Sequence, residues 1–141
     1  MIQRVFIDTD VFLDTVLQRT PHDVSSGDLL GMCEKAQIEA YSSTLILANL
    51  YYILRKVSSH AKAVQSIGHI RSFIKILALT DKEIGESIQA GFPNFEDGLQ
   101  YFICVNHNIG CFITRNAKDF KKAVITVLSP KEFLQTFSQK N

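Results

Sequence analysis

No stretch of this sequence approaches the ~18 unbroken apolar residues that a membrane-spanning helix needs. The chain runs straight into Val5-Phe6-Ile7-Asp8, without the basic region, apolar core and cleavage site that make a secretory signal. Together these absences predict a cytoplasmic protein with no membrane association. Cysteine is scarce: Cys33, Cys104 and Cys111 are odd in number, lack CxxC spacing and sit among apolar neighbours. That pattern speaks against a disulfide framework and predicts buried, reduced thiols. No histidine stands beside a cysteine in a recognisable motif, so thiol-based nucleophilic catalysis has no support. His22, His60, His69 and His107 form no i,i+4 pair and no metal-ligand spacing, and surface positions are expected for them. Gly/Ser-rich and Pro-rich linkers are absent as well, so a single domain over residues 1–141 is expected.

Charge of one sign is also missing. Fourteen acidic and fifteen basic residues leave a net charge of +1, which neither announces nor excludes a nucleic-acid partner. Lys118, Lys121 and Lys122, around Asp119, make one local basic run, read as a solvated face.

What the chain does contain is a hydrophobic fraction of 46%, enough for a core, distributed in alternating strand and helix patterns. Gln3–Ile7 is a short β-branched run that ends in an acid, as a buried strand would. Val11, Phe12, Thr15 and Val16 then follow at helical spacing, and Pro21 ends that element. Ser25 or Ser26 is the expected cap of a helix running to about Ala36. Ile38–Ser42 reads as the second strand, and Ser43 or Thr44 caps a helix through Lys56, with Leu47, Leu50, Tyr51 and Leu54 on one face. A helix over Ser59–Phe73 and a strand over Ile76–Leu79 come next.

Thr80 and Glu83 have capping-box spacing and open a helix that Gly91 and Pro93 close. Phe95–Asn106 is a further helix, Cys111–Thr114 a strand, Ala117–Phe120 a helical turn and Val124–Leu128 the last strand. Pro130 suits the first position of a C-terminal helix. Strands alternating with helices predict an α/β fold, a mostly parallel sheet with helices on both faces. Right-handed crossovers then bring every strand's C-terminal end to one edge, where open α/β sheets bind ligands.

Three acids from separate segments fall at that edge. Asp8 follows the first strand, Asp97 lies in the first turn of a helix, and Asp119 lies just past the strand Cys111–Thr114. Two carboxylates ~5 Å apart repel by ~3 kcal/mol at an effective dielectric of ~20, so their convergence calls for a cation. Oxygen-only clusters suit Mg²⁺ or Mn²⁺, and such an ion activates water and steadies charge on a phosphoryl oxygen. Each acid also has a structural role available: Asp97 facing a helix dipole, Asp119 capping the turn at Phe120. Asp8 is harder to explain that way, since burial at a strand end penalises its charge.

At these residues the chain resembles the PIN-domain family, including the VapC-type toxins. Val5-Phe6-Ile7-Asp8-Thr9-Asp10 is similar to that family's first motif, an apolar strand followed by an acid, Thr/Ser and Asn/Asp. Phe95-Glu96-Asp97-Gly98-Leu99-Gln100 is similar to its third motif. Ile113-Thr114-Arg115-Asn116-Ala117-Lys118-Asp119-Phe120 is similar to its last. The resemblance implies a three-layer α/β/α sandwich and a Mg²⁺- or Mn²⁺-dependent ribonuclease acting on RNA. In toxins of this family a partner antitoxin protein blocks the site. It further implies metal ligation by Asp8, Asp97 and Asp119, substrate-orienting or supporting roles for Thr114 and Asn116, and assistance from Asp10 and Glu96. A homodimer is the expected assembly, with the helix around Tyr51 and Tyr52 either its face or part of the core.

The sequence departs from the family in one place. Where the helix after the second strand usually carries a glutamate, this chain has Asn49. An amide offers an oxygen but no charge, which lowers metal affinity. The alternative to an active ribonuclease is therefore a catalytically impaired scaffold that binds RNA or a partner without cutting. Asp8-Thr9-Asp10-Val11 also resembles the opening motif of haloacid-dehalogenase-like phosphatases, but the late acidic pair of that family is missing after Thr114.

Overall fold

The computed structural model describes residues 2–120 and 124–140, apart from the side chains of Asp119 and Lys140. Five strands make one sheet: β1 (Arg4–Ile7), β2 (Glu39–Ser43), β3 (Lys75–Leu77), β4 (Cys111–Ile113) and β5 (Thr126–Leu128), in the order β3-β2-β1-β4-β5. Every pairing is parallel, with Phe6 opposite both Tyr41 and Phe112. Parallel sheets are covered on both faces, so central strands carry unbroken apolar runs instead of alternation. β1 obeys this: Val5, Phe6 and Ile7 are all fully buried. The rings of Phe6 and Phe112 stack at 5.3 Å between centroids, and Phe112 meets Phe120 at 4.8 Å, tying β1, β4 and the following turn together.

Seven α-helices connect and flank the strands among the described residues: α1 (Thr9–Val16), α2 (His22–Glu34), α3 (Thr44–Val57), α4 (His60–Phe73), α5 (Asp81–Ala90), α6 (Phe95–Asn106) and α7 (Pro130–Lys140). α1 packs on α2 and α3, α3 on α4, α2 on α7, and α5 on α6. The chain moves from β1 outward through β2 to β3, then crosses back to β4 on the other side of β1. Right-handed crossovers in opposite directions place α1–α4 on one face and α5–α6 on the other. The reversal beside β1 makes the carboxyl ends of β1 and β4 the switch point where such sheets bind ligands. No helix among the described residues is long and apolar enough to cross a membrane.

Most local signals act as read. Ser43 caps α3 by accepting from the Ile46 N–H, and Glu83 accepts from the Thr80 N–H at 2.8 Å at the start of α5. Gly91 ends α5 in the left-handed region (φ 71°), which glycine adopts without Cβ strain. Cys33, Cys104 and Cys111 are buried and none of the three is in a disulfide, and all four histidines are exposed. Lys118 is exposed, while Lys121 and Lys122 lie outside the described residues.

Three expectations need correction. α2 does not begin at a Ser25 or Ser26 cap but at His22, with Pro21 in the cap position, where its missing N–H goes unused. Ser26 is consequently drawn into the buried face of that helix. On α1 the buried face is Val11, Phe12, Leu13 and Asp14, while Val16 is exposed, because the helix meets both α2 and α3. Strand β5 starts at Thr126 and β3 ends at Leu77. Pairing stops before Leu79, whose N–H turns to the Thr44 hydroxyl at 3.1 Å.

Candidate active site

The carboxylate of Asp8 stands immediately beyond β1, as the cap of α1. Its Oδ1 accepts from the Thr9 N–H at 2.7 Å and its Oδ2 from the Thr114 hydroxyl at 2.8 Å. Thr114 immediately follows β4, so two adjacent strand ends meet through this bond. The Asp8 N–H donates to Ile113 O at 3.0 Å and locks the register of that meeting. The Thr114 hydroxyl also accepts from the Asn116 N–H at 3.1 Å, which orients the loop after β4.

Asp10 sits one turn-edge further on. Its Oδ2 accepts from the Arg115 N–H and from the Asn116 side-chain amide, each at 3.3 Å, whereas its Oδ1 is buried with no partner among the described residues. Across the opening, Asn49 of α3 donates its Nδ2 to Oε1 of Glu96 on α6 at 2.7 Å. Asp8, Thr9, Asp10, Asn49, Glu96 and Asn116 all line one cleft of about 380 Å³.

The electrostatics of the cleft are unbalanced. Burial, then the charge of Asp10 and more weakly that of Asp97, push the Asp8 carboxyl up to about 7, against the lowering effect of its two hydrogen bonds. Burial also raises Asp10, with Arg115 opposing it. These carboxylates therefore gather negative charge where water solvates it poorly.

A family profile described as the PIN domain matches residues 4–118. The chain belongs to the PIN-domain family. Solved PIN-like structures agree in fold. A VapBC2 complex from Rickettsia felis, bound to a promoter DNA fragment, superposes with a TM-score of 0.68 at 18% identity, covering 90% of this chain and 98% of that one. VapBC-1 from nontypeable Haemophilus influenzae gives 0.69 at 12% identity over 92% and 99%. The Mycobacterium tuberculosis toxin VapC20, which cleaves the sarcin-ricin loop, gives 0.63 at 13% identity over 77% and 86%. No curated protein sequence matches significantly.

Within this PIN domain the motif residues are placed as follows. Asp8, Asp10, Asn49, Glu96 and Asn116 come together in the cleft, and Thr114 reaches Asp8 from beneath. Asp97 lies in the first turn of α6, where its N–H donates to the Asn94 cap and its charge bears on Asp8. The neighbouring Gly98 lets α6 pack closely on α5: a Cβ there would stand 3.3 Å from the side chain of Ser87. The backbone of Asp119 lies in the short 3₁₀ turn Ala117–Phe120, while its side chain is outside the described residues. Asn49 occupies the cleft wall opposite Asp8, and its hydrogen bond brings Glu96 to the same mouth.

Among the described residues no three His, Cys, Asp or Glu side chains close tightly enough to hold an ion by themselves. The donor chemistry nonetheless fits a hard divalent cation. Every polar side-chain atom offered by Asp8, Asp10 and Glu96 is a carboxylate oxygen, one of them is orphaned, and among the described residues no basic side chain lines the cleft.

Asp14 has a part that the sequence did not reveal. It is fully buried at the foot of α1 and pairs with the Arg115 guanidinium at 2.6 Å. Its signal was spacing: Asp10 and Asp14 are i,i+4 on one helix, so both face the loop after β4. Tyr51 and Tyr52 divide their roles. Tyr51 packs on the core and its hydroxyl meets His60 Nδ1 at 2.9 Å, whereas Tyr52 is exposed and lines the cleft.

Proposed function

We propose that this PIN domain is a metal-dependent endoribonuclease and the toxin of a toxin–antitoxin pair. The observation that carries the reading is the Asp8 carboxylate. It is held at the β1–β4 switch point by Thr9 and Thr114 and pushed up to about 7 by burial and neighbouring carboxylates. Groups with that degree of perturbation, in a cleft, are candidates for chemistry. The likeness to VapBC complexes and to a toxin that cleaves the sarcin-ricin loop supports the choice of RNA as substrate and of an antitoxin as partner.

In this proposal Asp8, Asp97 and Asp119 hold Mg²⁺ or Mn²⁺, and the bound cation supplies Lewis acidity toward a phosphoryl oxygen. Thr114 holds Asp8 in one rotamer, and Asn116 holds both Thr114 and Asp10. Asn49 directs Glu96 toward the cleft, and the amides of Asn49 and Asn116 remain as neutral contacts for ribose or phosphate. The protein acts in the cytoplasm as a homodimer.

The test is cleavage of end-labelled single-stranded RNA with Mn²⁺ or Mg²⁺, comparing wild type with Asp8→Asn. Cleavage that persists in the variant and in EDTA overturns the mechanism. Asn49 favours a second reading, an impaired scaffold. That reading gives retained RNA binding without cleavage by the wild-type chain.

A further inference from the structure

A second hollow of about 460 Å³ adjoins the acidic cleft and has the opposite character. Pro21, His22, Ser25, Ser26, Arg115 and Lys131 line it, together with the Ser129–Pro130 start of α7. Its ionisable lining is His22, Arg115 and Lys131, and no carboxylate lines it among the described residues. Arg115 connects the two spaces, since its N–H donates to Asp10 in the cleft while the residue lines the hollow, and Asn116, next in sequence, lines the cleft.

Two helices begin here. α2 starts at His22 with no side-chain cap; the Asp23 N–H goes to Arg19 O at 2.9 Å, and the other first-turn N–H groups can turn to another acceptor. α7 starts at Pro130, its end closed by reciprocal bonds between Ser129 and Glu132 at 2.9 and 3.1 Å. Helix starts carry partial positive charge and favour anions. An independent observation points to a ligand. Ser26 is completely buried, lines this hollow, and its hydroxyl has no hydrogen-bond partner among the described residues. A buried hydroxyl left unpaired is costly, and one that waits for an acceptor explains the cost. The Arg115 guanidinium, turned to Asp14 through Nε, keeps two further NH₂ groups that can donate to oxygen.

We propose that this hollow is an anion subsite that takes a phosphate group of the RNA strand, adjacent to the phosphodiester presented to the acidic cleft. It rests on the nuclease reading for the identity of the strand. Its continuity with the cleft through Arg115 and Asn116 favours a nucleic acid over a carboxylate from a partner protein.

The test has two arms. In the first, inorganic phosphate is titrated at constant ionic strength into the isotope-labelled full chain and followed by NMR. Saturable shifts are expected at the amides of His22, Val24, Ser25 and Lys131. Ser26→Ala weakens that binding several-fold while leaving the thermal midpoint unchanged or raised. Absence of saturable shifts at these amides overturns the subsite, and a lowered midpoint in Ser26→Ala assigns the hydroxyl a purely structural role instead. In the second arm, single-stranded RNA binding to the Asp8→Asn chain in EDTA is measured against salt. Adding Lys131→Ala should reduce the slope of log K against log salt by about 0.7, one phosphate contact on a single strand. An unchanged slope alongside lost phosphate binding overturns the assignment to RNA and points to a protein carboxylate. Failure of the nuclease reading looks different: wild type leaves RNA uncut with Mn²⁺ while the phosphate shifts and the salt slope stand.

Discussion

Asn49 donates a 2.7 Å hydrogen bond to Glu96, linking α3 to α6 across the mouth of the cleft that holds Asp8. In the proposed reading this amide stands where a glutamate is expected from the family resemblance, and it positions a carboxylate from another helix. Negative charge is kept at the mouth, supplied one side chain further along.

Replacing Asn49 by glutamate puts two carboxylates face to face. Glu96 is exposed and Asn49 half-buried at the open mouth, so solvent screening should hold the loss in the metal-free fold to about 1 kcal/mol. Mn²⁺ should then raise the thermal midpoint of Asn49→Glu by more than it raises that of wild type. Calorimetric titration with Mn²⁺ checks this; equal affinities would show that the amide costs nothing.

Asp8 makes stability depend on pH. Its carboxyl lies at about 7 in the fold against 3.8 when unperturbed, so the folded state binds the proton more tightly than the unfolded chain does. That contribution is fully present below about pH 4 and is lost as pH rises through 7. In EDTA the thermal midpoint should therefore fall across this window, and the fall should be shallower in Asp8→Asn. Millimolar Mn²⁺ should restore wild type at pH 8 but not the variant.

Thr114→Val removes the hydroxyl between Asp8 and Asn116, in a fully buried residue. The expected loss is ~1–3 kcal/mol in urea denaturation, with a ~10–100-fold fall in metal affinity. Thr114→Ser should recover most of both, because the hydrogen bonds use only the hydroxyl.

Arg115→Met strands the fully buried Asp14 carboxylate without its ion-pair partner. Such orphaned charges cost ~3–5 kcal/mol. Combining it with Asp14→Leu should bring the urea midpoint back to within about 1 kcal/mol of wild type, since an apolar pair replaces both charges. A double variant as unstable as the single one would show that Arg115 stabilises through other contacts.

The alternation of elements, the caps at Ser43 and Thr80–Glu83, the left-handed stop at Gly91 and the parallel sheet were all legible in the sequence. Each depends on contacts between neighbours in the chain or on the periodicity of one element. Asp8 stood out for the same reason: an acid closing a fully apolar strand is a conflict visible along a single segment.

Whatever depended on two distant segments meeting was decided by the tertiary structure alone. Asp14 draws no attention along the sequence of α1, and only the tertiary structure buries it beside Arg115 of the loop after β4. Ser26 read as a cap, and became an orphaned hydroxyl only because α2 begins at His22 and turns that face inward. Asn49 read as a lost charge, and only the approach of α6 to α3 gave it Glu96 to hold. Periodicity fixes which face of an element is buried, whereas hydrogen bonds and ion pairs are set by ångström-scale distances between segments far apart in sequence.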